Sequence, residues 1–426
     1  MIYCRFKTYT LCFTVAGKVY TSLADGRIVE VLEDRLRTVA SIDPEKLGLE
    51  ACQLPQNTVR CGRPLGLKFD SKGTLYTVDP YHGLYSIDVT TGKVKLIADV
   101  AKLGARFLDD LAVLEKTGDH KVFYLSDAST EWDLFDVAYT VAEHDSTGRL
   151  ISYDTETGQV KVELQGLPFP NGLALTDDRT ALLMCLFNQR SVHRYHLSGP
   201  KKGQVVPLAA DLPGEPDNIK RSLDQTRETY WVGLFSGRNR HNRHLIVDTL
   251  GQYSMLTRFG MRLGRAIGFA IEKAGVLLGK DCLTAFGFDF KTGHLLNVGM
   301  CSYGMVLEID GATGEVLHSL HSPDGATCAL SEAFEVKRTE EGERHFLLGS
   351  YANSYLGRLV LPQSAFQRST VISSSSQVSQ QQKQQQSSSS STSASSAKSS
   401  TAKTASSPSA ADKASSTGKL KAKDEL

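Results

Sequence analysis

Hydrophobic and polar positions alternate along much of the chain in short runs. Leu150-Ile151-Ser152-Tyr153 and Val160-Lys161-Val162-Glu163-Leu164 are two of them. A period of two marks half-buried strands. Residues 154–158 between them form a polar turn that closes on Gly158. The unit recurs as GLYSIDVTTGKV (83–94), GRLISYDTETGQV (148–160) and GMVLEIDGATGEV (304–316). Each copy reads strand, Asp, turn closing on Gly four residues later, strand. Weaker copies begin at Gly26, Arg190 and Gly357. Self-similarity at about 40–65 residues, built from strands alone, predicts a β-propeller with one four-stranded sheet per repeat. A blade cannot bury both faces by itself, and a ring of blades gives it a core while leaving few open edges. The copies predict an all-β, six-bladed propeller, with 83–97, 148–164 and 304–320 as outer strand pairs.

Two segments break the pattern. Residues 254–278 place Met255, Phe259, Leu263 and Ile267 at helical spacing, with Arg258, Arg262 and Arg265 between them. This predicts a basic amphipathic helix. It either packs on the propeller rim or acts as a lid or membrane-surface helix making peripheral membrane contact. After Leu361 the composition collapses into a Ser/Gln/Lys-rich tail, expected to be disordered because it has almost nothing apolar to bury. The tail ends in Lys423-Asp424-Glu425-Leu426, the luminal endoplasmic-reticulum retrieval signal. That implies a KDEL receptor as partner and an endoplasmic reticulum lumen or membrane-associated endomembrane location. Luminal entry needs a leader, and residues 1–17 offer Arg5, Lys7 and a short apolar stretch. They read as a poor signal peptide or, preferably, as a first strand. The expected boundaries are a divergent or truncated N-terminus over 1–17, the propeller over 18–366, the disordered tail over 367–422 and the signal over 423–426.

Composition narrows the chemistry. The formal net charge of the 426 residues is +1, so no electrostatic case for nucleic acid exists. No stretch approaches the ~20 apolar residues of a membrane span. None of the 8 cysteines is spaced as CxxC, which argues against zinc. Cys185 and Cys328 read as small buried hydrophobes. Nothing matches a Ser nucleophile elbow, a P-loop or a dinucleotide fingerprint.

The segments Phe169-Pro170-Asn171-Gly172 and Glu215-Pro216-Asp217-Asn218 pair oxygen-rich side chains with a stiffening proline. Short carboxylates and carboxamides on rigid backbone suit a hard cation such as calcium. His82, in DPYHG, is a base candidate or a turn-bound histidine.

PFPNGLAL, RYHLSGPKKG and LPGEPDNIKR resemble the strictosidine synthase-like proteins, and within them the adipocyte plasma membrane-associated protein group. So do residues 61–88, 107–113 and 122–132. The resemblance covers roughly residues 14–361 and implies the six-bladed fold. Calcium-dependent propeller hydrolases similar to this family hold one metal at the axis. Matched by motif, the implied ligands are Asp109 (FLDD replacing the usual Asn-Asp), Asn171, Asp217 and Asn218. The family's Glu ligand has no match, and the resembling proteins begin earlier, with a membrane anchor. The resemblance implies an arylesterase-like hydrolase of esters or lactones, with Asp217 holding metal or activating water. Plant strictosidine synthases instead use a Glu as acid/base without metal, and by motif that Glu falls near residues 329–332, where Glu332 is the candidate, the alternative being an exposed strand-end carboxylate. A Cys52–Cys61 disulfide is also implied, the alternative being two free thiols. The other function class is a non-catalytic luminal or membrane-associated binding propeller.

Overall fold

The computed structural model describes residues 17–33, 35–54, 57–238, 254–293, 303–353 and 355–366, and the backbone alone over 2–3 and 8–13. The Ser-rich tail and the terminal KDEL lie outside the described residues.

Strands fall into six antiparallel sheets. Blade 2 runs through residues 67–69, 75–79, 83–88 and 93–99; blade 3 through 108–115, 121–127, 148–154 and 160–167. Blade 4 holds 170–175, 181–186, 191–196 and 205–209; blade 5 holds 214–221, 229–237, 304–310 and 316–322. Blade 1 comprises 8–13, 19–23, 27–31 and 36–41. Blade 6 comprises 330–338, 344–350 and 355–361, with Ile2–Tyr3 added outermost through Ile2↔Leu356 and Tyr3↔Tyr355. The N-terminus therefore closes the ring before starting blade 1, and the propeller begins ahead of residue 18. The predicted outer pairs at 83–97, 148–164 and 304–320 are third and fourth strands of blades 2, 3 and 5.

The repeated turn has a local cause. The Asp154 carboxylate accepts from the amides of Glu156 (2.9 Å) and Thr157 (2.9 Å), and Asp88 and Asp310 do the same in their turns. The closing Gly92, Gly158 and Gly314 all sit at positive φ, where a Cβ is penalised. Apolar residues then fill the interblade spaces. Ile28, Leu67 and Ile87 join blades 1 and 2; Val78, Leu111 and Ile151 join blades 2 and 3; Trp231, Val306 and Phe346 join blades 5 and 6.

Cys52 and Cys61 form a disulfide with a Cα–Cα distance of 5.5 Å, closing the loop between blades 1 and 2. Cross-linking so short a loop stabilises by about 2–3 kcal/mol. Cys185 is buried and free as expected. Cys328 is buried but disulfide-bonded, so the reading of it as a free small hydrophobe is corrected.

The second-to-third-strand connection of blade 5 carries the helical insertion: α1 (Ser254–Leu277) and α2 (Asp281–Lys291). They pack through glycines. A Cβ on Gly268 would strike the Lys291 backbone, and one on Gly287 would strike that of Glu272. α1 sits on the rim by its arginines, not by its apolar side. Arg262 binds Glu143 (2.8 Å) and Glu131 (2.6 Å), and Arg265 pairs with Asp136 beside the Trp132 and Tyr139 rings. Among the described residues no helix is long and apolar enough to cross a membrane.

Candidate functional site

Inner strands of successive blades line the propeller axis. Lys68, Ala112, Leu173, Lys220 and Phe334, from blades 2 to 6, surround one cavity of about 310 Å³. The candidate ligands lie on these strands near their first residues, not on connecting loops. Asp109 is on strand 108–115, Asn171 on 170–175, and Asp217 with Asn218 on 214–221.

Each of these strands is irregular at those positions. The pairing jumps from Leu108↔Asp127 to Leu111↔Leu125, from Pro170↔Leu186 to Leu173↔Met184, and from Pro216↔Leu234 to Ile219↔Val232. One extra residue on the inner strand is a β-bulge, which breaks the alternation and re-aims side chains. Strand 214–221 is buried on both faces, so Asp217 and Asn218, neighbours in sequence, are both buried. Two non-glycine residues enter the axial strands in the left-handed region, Phe169 (φ 55) and Ala329 (φ 44). Strain of this kind is found where surrounding packing over-determines a site. Gly172 is required for close approach: a Cβ there would lie 2.6 Å from the Asp217 carbonyl oxygen.

The electrostatics are those of crowded carboxylates. Burial, then the charge of Asp109 and that of Glu332, pushes the Asp217 carboxyl well above its usual range, while the Ser331 and Asn171 side chains pull it back. Burial, then the charge of Asp110, pushes Asp109 up to about 8. Asp110 is fully buried, accepts from Leu173 N–H at 2.9 Å and has Lys68 Nζ at 3.5 Å. Asn171 Oδ1, Asn218 Oδ1 and Asp110 Oδ1 are buried with no hydrogen-bond donor. All three orphans are acceptors, the pattern a cation satisfies and a donor-poor core does not.

Glu332 is not an exposed strand-end carboxylate. It is fully buried on strand 330–338 and paired with Lys220 Nζ at 3.0 Å. His82 lies in the second-to-third-strand turn of blade 2, with Nδ1 3.1 Å from Asp79 Oδ1. Its described partner is that aspartate, and its contacts among the described residues do not reach the axial group. Sequence reasoning missed Asp110, Lys68, Lys220 and Ser331. The second Asp of FLDD and the Lys after PDNI were visible, but only the bulges show that they share the axis.

An apolar layer covers the end where the inner strands begin. Phe107 meets Phe169 at 5.8 Å, Phe169 stacks on Phe187 at 4.7 Å, and Phe187 reaches Phe235 at 5.5 Å, centroid to centroid. Tyr351 extends the row from blade 6. The connection carrying α1 and α2 emerges on this same face, since second strands end where first strands begin.

Residues 109–200 match a family model described as strictosidine synthase. The chain is 30% identical over 343 residues to the adipocyte plasma membrane-associated protein of Danio rerio, covering 80% of this chain and 72% of that one. It is 33% identical over 320 residues to strictosidine synthase-like 9 of Arabidopsis thaliana, covering 74% and 76%. Among solved structures, a gluconolactonase from Xanthomonas campestris superposes with a TM-score of 0.48 at 12% identity, covering 84% and 88%.

Proposed function

The chain belongs to the strictosidine synthase-like family, and from that premise we propose a hydrolase of esters or lactones assisted by an axial calcium ion. One observation carries the reading: Asp109, Asp110, Asp217 and Glu332 crowd the axis with three donorless buried oxygens, and among the described residues they meet two axial ammonium groups, Lys68 and Lys220. With all four carboxylates ionised, as a bound cation would favour, the excess of two negative charges over Lys68 and Lys220 matches one divalent cation.

Asp109, Asn171, Asp217 and Asn218 would hold it, and calcium bound there would polarise a carbonyl and stabilise an oxyanion. Around it the chain's own groups divide the work. Asp217, as a carboxylate among those ligands, would hold the ion or accept a proton from an attacking water. Lys220 holds Glu332 in place beside it. The aromatic row over the axis excludes water and fits an apolar acyl or aryl group. The terminal Lys423–Leu426 supports an endoplasmic-reticulum lumen setting.

A second reading, a non-catalytic binding propeller, is favoured by Lys68 and Lys220, which already offset part of the axial charge. A panel of aryl esters and lactones, with and without calcium, separates them. For the hydrolase, calcium raises the melting temperature by a few degrees, as a ligand of the folded state does, and supports turnover. Asp217→Asn loses both. A folded protein with no calcium-dependent shift and no hydrolysis across the panel leaves the binding reading.

A further inference from the structure

The insertion presents a surface that stays exposed among the described residues. Along α1, one side carries Gly268 and Gly275 and packs on α2. A second side carries Arg262 and Arg265 and is fastened to Glu131, Glu143 and Asp136. The third side is apolar over the whole helix. At 100° per residue, Met255, Phe259, Leu263, Ile267 and Leu277 share it, with Ala266, Ala270 and Ala274 between them. Met255 is 85% exposed, Phe259 66% and Leu277 86%. No acidic residue falls within this stripe. A 24-residue helix makes it roughly 36 Å long.

Charge identifies what would cover it. Of the exposed basic groups of the hairpin, Lys273 lies at the edge of the stripe and Lys280 follows at its end, while Arg258 falls on the side of Arg262 and Arg265. Arg262 and Arg265 are already neutralised by carboxylates. An apolar strip edged by cations matches the boundary between acyl chains and anionic headgroups, and a helix of mixed polarity lies flat there and does not span. We infer that α1 docks the propeller on an anionic lipid bilayer, with the axial face of the ring turned toward it. The inference is independent of the proposed reaction, because it uses neither the axial carboxylates nor a metal.

The test is flotation of the full-length protein with phosphatidylcholine vesicles and with vesicles containing about a third phosphatidylserine, all in EDTA so that calcium bridging plays no part. The wild type is expected to float with the anionic vesicles and far less with the neutral ones. Phe259→Asp combined with Leu263→Asp should reduce flotation at least tenfold at an unchanged melting temperature, since both side chains are exposed. Lys273→Glu with Lys280→Glu should abolish the preference for anionic lipid. Absence of flotation with either vesicle overturns the inference, and so does undiminished flotation of the Asp variant. A wild-type dimer in light scattering that the Asp variant makes monomeric, without vesicle binding, assigns the face to a second copy and also overturns it.

Discussion

Two buried carboxylates show how one residue type is moved in opposite directions. Burial alone would raise Glu335, but the hydrogen bonds and charge of Arg344 outweigh it and hold the carboxyl below its ordinary 4.5. Arg344 spans Glu335 (2.8 Å) and Glu308 (3.0 Å), joining blades 6 and 5. A depressed carboxyl stabilises the fold above its unfolded value, and that contribution is lost as pH falls through its folded value. Asp109 has the reverse sign. Raised to about 8, it stabilises the fold while protonated, and that contribution is lost as pH rises through about 8. In EDTA the melting temperature should therefore fall in acid through Glu335 and fall as pH rises toward about 8 through Asp109, levelling off beyond it. Arg344→Gln should cost ~3–5 kcal/mol, the scale for stripping a buried ion pair of one partner, and flatten the acid limb. A flat profile from pH 6 to 9 would contradict the assignment of Asp109. The candidate ligands Asn171, Asp217 and Asn218 were legible in sequence because each sits beside a proline in a short motif. Lys220 and Ser331 were not, because a bulge is a property of pairing between strands, and pairing partners are not written locally.

At the scale of elements, what could be read was what is locally determined. The Asp-to-Gly turns announced the outer strands, since the Asp caps its own turn and the Gly takes the left-handed φ. The inner strands announced themselves poorly, because 214–221 and 229–237 are buried nearly throughout and lose the alternation that marks a half-exposed strand. The periodicity of 254–278 gave the helix and its apolar stripe. It did not give the side that packs, because Glu131, Asp136 and Glu143, which capture the arginines, come from a loop more than a hundred residues away in sequence. The hairpin should behave as a separable unit held by close helix contact. Gly287→Val, which places a side chain against the Glu272 backbone, should loosen it at the ~1–3 kcal/mol typical of overpacking. Limited proteolysis should then cut within 254–293 while the propeller melts at the wild-type temperature. An unchanged digestion pattern would show that glycine contact does not hold α1 to α2.

At the scale of the molecule, ring closure and the address at the far end are the two matters left. Deleting Lys423 to Leu426 should release a lumen-resident protein to later secretory compartments, measured by its glycan-processing and secretion state in cells. A cytosolic full-length protein, unaffected by the deletion, would remove the luminal setting. Closure carries the stronger structural claim. Residues 2–3 finish blade 6, and residues 8–13 pair with 19–23 as the innermost strand of blade 1. The two blades join through Thr8↔Ser350. One short stretch of chain therefore supplies an outer strand to the last blade and an inner strand to the first. Without it both blades expose unpaired edges, and every interblade contact around the axis can relax outward. The strand that fills this place reads Thr8-Tyr9-Thr10-Leu11-Cys12-Phe13, and its backbone pairing is what closes the ring. Deleting residues 1–13 should broaden and lower the thermal transition and remove the calcium-induced shift, although Asp109, Asn171, Asp217 and Asn218 all remain. Substituting Thr8, Thr10 and Cys12 by Ser should leave the shift in place. A truncated protein that melts as sharply as the full chain and keeps its calcium response would show that the ring is closed without these strands.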